Sequence, residues 1–150
     1  MKFIKIFIAK ADVFKEVSLN TAYTGAKSAT ENGLFDRVAT INADSPILSR
    51  FWVQACGEVT EKLKGMIVAS ESFSEALSVS LELSGAYDDS LTPSVEADLS
   101  AAIAAGVTAR WMRLSFPDKA SEWEAQSAHL LHRAFAKLCH RKKPTRTPEL

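Results

Sequence analysis

The chain has 150 residues, 47% of them hydrophobic and 24% charged, with a formal net charge of zero. That composition excludes a collagen-like, low-complexity or disulfide-stapled chain and fits one globular domain able to bury a core without metal or disulfide. Cys56 and Cys139 lie far apart and read as reduced thiols; no stretch nears the roughly 20 apolar residues of a membrane span.

The start, MKFIKIFIAK, is apolar but carries Lys5 in its middle and lacks a cleavage site, so it does not read as a signal peptide. Within it, residues 3–8 suggest a short strand with imperfect alternation. A helix is expected from Asp12, as N-cap, to about Ser28. Val13, Val17, Thr21, Thr24 and Ser28 share one side of it, and Leu19, Ala22, Tyr23 and Ala26 the other. A helix with apolar groups on two sides is either buried or meets a second surface. Asn32-Gly33 then marks a turn.

The clearest helix follows. Asp44 or Ser45 can cap it, Pro46 fits its first turn, and Gly65 can end it. Leu48, Phe51, Trp52, Ala55, Val59, Leu63 and Met66 form its core stripe, with Arg50, Gln54, Gly57, Glu61 and Lys64 opposite. In ALSVSLELS, Leu77, Val79, Leu81 and Leu83 alternate with Ser78, Ser80, Glu82 and Ser84, the period of a half-buried strand. Its backbone needs partners, and residues 67–73 and 3–8 are the candidates.

Thr92 or Ser94 caps the next helix, expected over 94–116. Leu99, Ile103, Val107 and Leu114 lie on one face with Trp111 at its edge, and Ala101, Ala105, Ala109 and Met112 on another. Apolar on both sides, with Gly106 allowing close approach, this is expected to be the central helix of a bundle. After Pro117-Asp118 a last helix, 118–141, returns antiparallel with Trp123, Ser127, Leu130, Leu131, Ala134, Phe135 and Leu138 as its stripe. The expectation is an α+β, mainly α fold: three to four bundled helices with a small two- or three-stranded sheet. Residues 1–143 form a single domain and 144–150 a flexible C-terminal tail.

Chemistry-bearing motifs are weak. His129, His132, Cys139 and His140 lie along one helix face over about 16 Å, whereas zinc needs three or four ligands converging on one point. No serine sits in a Gly-x-Ser-x-Gly elbow, Cys56 flanks the core stripe as a filler, and adjacent Asp88-Asp89 read as a solvated turn. Scattered glycines exclude a phosphate-cradling loop. No catalytic residue, cofactor or metal site is therefore assigned, and the chain is not expected to be an enzyme.

Charge is segregated. Residues 65–109 hold no Lys or Arg but seven acids: Glu71, Glu75, Glu82, Asp88, Asp89, Glu96 and Asp98. Residues 130–146 hold no acid but six cations: Arg133, Lys137, Arg141, Lys142, Lys143 and Arg146. The cations could meet phosphates, but nucleic-acid domains are usually basic overall, and cations also complement the negative end of a helix dipole. Alternatively the acidic surface of one copy meets the basic helix end of the next, a head-to-tail contact of the kind that builds rings when the rotation closes. Tyr23, Ala26, Met112 and Phe35 would supply the apolar part of that contact.

The order TAYTGAK, DRVATINAD, ILSRFWVQACGEVTEKLK, the strand, SLTPSVEADLSAAIAAGVTARWMRL and KLCHRKKPTR resembles small uncharacterised proteins of prophage-type gene clusters of gut anaerobic bacteria. It is also similar to phage head–tail connector or tail-adaptor subunits, although the long second hairpin arm of many connectors is short or missing. The resemblance spans residues 11–146 and implies a non-enzymatic subunit that assembles with itself and with other phage-type structural proteins. Such a subunit would sit in the cytoplasm or in a phage-like particle, with no membrane partner. A nucleic-acid-binding accessory role through the basic helix end is the alternative.

Overall fold

The computed structural model describes residues 1–27, 39–40 and 44–144. The expected Asn32-Gly33 turn, Ser28, Phe35, Arg146 and most of the 144–150 tail lie outside the described residues. Strand β1 (Lys2–Ala9) runs directly into helix α1 (Lys10–Lys27). Helix α2 (Ser45–Leu63), strands β2 (Ile67–Ser70) and β3 (Ala76–Leu83), and helices α3 (Thr92–Ser115) and α4 (Ala120–Leu138) complete the order. The described chain is thus mainly helical, four helices with a three-stranded antiparallel sheet, as expected.

β3 is the centre of the sheet because both expected partners pair with it, β1 on one side and β2 on the other. Its Leu77, Val79, Leu81 and Leu83 are buried, and β1 opposes them with Ile6 against Val79 and Ile8 against Leu77. These branched side chains fill the pleat facing the core. β2 is short and bulges between Ile67 and Ala69. Trp52, fully buried on α2, donates its indole N–H to Phe73 O at 2.7 Å, fastening the helix to the β2–β3 connection.

Helix α1 begins at Lys10, not Asp12. Its first N–H reaches across to Glu75 O at 3.0 Å, so backbone pairing with the β2–β3 connection carries the chain straight from strand to helix. Val13, Val17 and Thr21 are buried as expected, and Leu19, Tyr23 and Ala26 face outwards. Asp44 precedes α2 without a side-chain cap bond, and Pro46 lies in the first turn. α2 ends at Leu63, and Met66 N–H turns back onto Leu63 O at 2.8 Å.

Helix α3 is the central helix, packed against α1, α2 and α4. Both of its expected apolar faces are covered: residues 102–109 are all buried, and so is Met112, which therefore supplies no outward apolar group. Leu114, expected in the core face, is instead exposed, while Phe116, Ala120 and Trp123 close around Met112 two positions earlier. A Cβ on Gly106 would lie 3.2 Å from Ser127 Oγ and 3.6 Å from Ala55 Cβ, so the missing side chain lets α2 and α4 both approach.

α4 runs antiparallel to α3: Asp98, early in α3, meets Arg133 and Lys137 late in α4, while Arg113 pairs with Glu124. Leu130, Ala134 and Leu138 seal it.

Candidate functional site

The first candidate is the pair of charged blocks, and the structure brings part of each together within one molecule. Asp98, buried on α3, accepts bonds from Arg133 at 2.6 and 3.2 Å and from Lys137 Nζ at 2.6 Å. Lys137 Nζ also donates to Ser94 Oγ at 2.6 Å. The Arg133 guanidinium, then Lys137, holds the Asp98 carboxyl below the usual carboxylate range against the opposing effect of burial, and Asp98 raises Arg133 in turn. This two-cation clamp fixes the start of α3 to the end of α4.

The segment after α4 also folds back. Lys142 N–H donates to Ala86 O at 2.7 Å, and Arg141 bridges to the buried Tyr87 in antiparallel fashion. Lys142 Nζ lies 3.6 Å from Asp88, whose carboxylate bonds the Ser90 hydroxyl and N–H and stays below its ordinary pKa, chiefly through Ser90. Asp89 pairs with Lys2 at 2.8 Å, and Glu96 accepts from Phe7 N–H at 3.4 Å on the outer edge of β1. So Asp88, Asp89, Glu96 and Asp98 from the acidic block, and Arg133, Lys137 and Lys142 from the basic block, have partners inside the fold. Glu71, Glu75, Arg141 and Lys143 are exposed and Glu82 half-buried.

A cleft of about 330 Å³ lies where α2 and α4 part over Gly106 and Ala109. Arg110 crosses it, donating to Gln54 Oε1 at 3.0 Å, Gly106 O at 3.1 Å and Glu58 Oε1 at 2.5 Å. Arg113 pairs with Glu124, and Ser127 Oγ donates to Ala102 O at 2.7 Å. Its polar groups are thus engaged with one another, which makes it a salt-bridged helix junction.

The histidine face of α4 converges on nothing: His129, His132, Cys139 and His140 are exposed, and no three His, Cys, Asp or Glu residues group as a metal site among the described residues. Cys56 is fully buried, and burial pushes its thiol up to about 12, where it has little nucleophilic character at neutral pH. Among the described residues no helix is long and apolar enough to cross a membrane.

The surface that sequence reasoning missed is the outer face of the sheet. Phe3 is 66% exposed, Phe7 55% and Val68 53%, although all three lie in strands of the sheet, next to a closed core. The signal was present in FIKIFI: the phenylalanines occupy the alternate positions that a half-buried strand normally gives to polar residues. Leu19 and Tyr23 make a second exposed apolar pair on α1.

Compared with known proteins, the chain matches no family model, no curated protein and no solved structure.

Proposed function

We propose that the chain is a non-catalytic assembly subunit that acts by binding copies of itself and other structural proteins, in a setting like the head–tail joint of a phage-like particle. The observation that carries this reading is the large apolar side chains left outside a filled core. Phe3, Phe7 and Val68 stand on the sheet, and Leu19 and Tyr23 on α1. Scattered single apolar residues are ordinary on a surface, but aromatic groups on the outer face of a sheet gain stability only when another surface covers them. Two such places on different elements suit a subunit with two neighbours.

The charged blocks contribute less to assembly than their separation in sequence implies, since Asp98, Asp88 and Asp89 are neutralised within the molecule. The same pairing weakens the nucleic-acid alternative. Arg133, Lys137 and Lys142 already face carboxylates, so Arg141 and Lys143 are the cations of the described helix end without one. Multi-angle light scattering over a wide concentration range tests the reading: mass rising with concentration supports it, and a monomer throughout contradicts it. The genes flanking this one test the setting, with portal, capsid or tail genes expected and metabolic genes contradicting it.

A further inference from the structure

β1 is an edge strand, and the alternation of backbone bonds shows which of its groups stay open. On β3, Ser78 O and Glu82 N–H bond on the side of β2, to Glu71 N–H and Met66 O. Leu77, Val79, Leu81 and Leu83 therefore turn their backbone groups to β1, where Ile8, Ile6, Ile4 and Lys2 stand opposite them. That leaves the N–H and C=O of Phe3, Lys5 and Phe7 pointing away from the sheet. Among the described residues their only hydrogen bond is a long one, from Phe7 N–H to the Glu96 carboxylate at 3.4 Å. The first turns of α3 run alongside this edge and leave a groove of about 370 Å³, with Asp12 of α1 at one end. Its helix wall is low, because Pro93, Ala97 and Ser100 are small. Glu96 and Asp12 make no ion pair among the described residues.

We infer that this groove takes an extended segment of a partner protein, in which apolar residues alternate with Lys or Arg, as a fourth strand beside β1. Resting on the reading of the chain as an assembly subunit, the inference names the chemistry of one neighbour. An added strand satisfies the open backbone groups, and one of its carbonyls replaces Glu96 at Phe7 N–H. Its side chains alternate between two faces. Those opposite Phe3 and Phe7 share the outer face and cover the two exposed rings. Those between turn inwards over the groove, where a cation meets the Glu96 and Asp12 carboxylates released to it.

A second copy's β1 fits this edge less well. An antiparallel pair centred on Lys5 sets two lysines directly opposite each other, which is destabilising. At the other edge of the sheet the short, bulged β2 is a poor template for strand addition. The walled part of the groove, from Pro93 to Ser100, spans about 10 Å, the length of about three strand residues. So small a contact is expected to bind weakly and exchange fast.

Titration of the full chain with a capped peptide of alternating valine and lysine, followed by two-dimensional amide NMR, tests the inference. The amides of Phe3, Lys5 and Phe7 should move as peptide is added. Glutamate in place of the peptide's lysines should weaken binding at least about tenfold. N-methylation of its valines should abolish binding, since those N–H groups are the ones that meet β1. Glu96→Lys should remove the preference for the lysine peptide, with circular dichroism as the check on folding. Edge amides that stay still, equal binding of the two peptides by the wild type, or binding that survives N-methylation would each overturn the groove. The assembly reading would then still stand if light scattering shows self-association, and fall with the groove if the chain stays monomeric. If Glu96→Lys misfolds, the N-methylated peptide and the wild type decide alone.

Discussion

The end of the molecule where α3 meets α4 and the outer face of the sheet solve opposite problems. At the helix end a buried carboxylate, Asp98, receives two cations and a neighbouring hydroxyl shares one of them, so each of these four groups has a partner inside the chain. On the sheet the core-facing side is closed by Ile6, Ile8, Leu77 and Val79, yet the other side leaves two phenylalanines in water. Charges that look separated along the sequence are thus reunited by the antiparallel return of α4. The apolar surplus, which looked unremarkable in a strand, is what stays unsatisfied. Opposite charge blocks in a sequence are therefore poor evidence of contact between molecules until the fold has been seen to keep them apart.

The comparison can be broken first at its support. Trp52→Ala removes a fully buried side chain and the bond to Phe73 O that ties α2 to the sheet. It should cost about 4 kcal/mol in chemical denaturation. Next comes the clamp. Asp98→Ala strands Lys137 and leaves Arg133 to the solvent, and should cost about 2 kcal/mol by the same measurement.

The clamp also has a pH signature. The folded pKa of Asp98 is lowered, so its stabilisation is present in full above the unfolded carboxylate value of about 3.9 and is lost as pH falls through the lower folded value. Asp98→Asn should flatten the acid limb of the stability profile below about pH 4, and an unchanged limb would show that the clamp is not what acid releases. Smallest is the effect of the sheet face on the single molecule: Phe7→Ser at low protein concentration should change unfolding stability by no more than about 0.5 kcal/mol. A larger loss would mean that Phe7 serves its own fold and not a neighbour.

Much of the architecture was legible in the residues. The strict alternation of 77–83 named a half-buried strand and left its two partners as candidates, and both proved to pair with it. Gly106 and the alanines around it announced a helix enclosed by others. What escaped depended on distance in space. Nothing local says that Met112 is covered by Ala120 and Phe116 while Leu114, two positions on, is left in solvent. Nor does composition reveal that Lys142 folds back onto Ala86 and Asp88, since both contacts need the whole of α3 and α4 to be in place. Phe3 and Phe7 were visible but ambiguous, because a strand with apolar groups on both faces fits burial on both sides as well as one side held for a neighbour.

The most direct measurement is a dilution series followed by two-dimensional amide NMR of the labelled chain. The account predicts concentration-dependent shifts around the exposed Phe3, Phe7 and Val68 of the sheet, with the Asp98–Arg133 region unmoved. Shifts gathered around Leu19 and Tyr23 or the helix end with the sheet silent, or no shifts at any concentration, would contradict it.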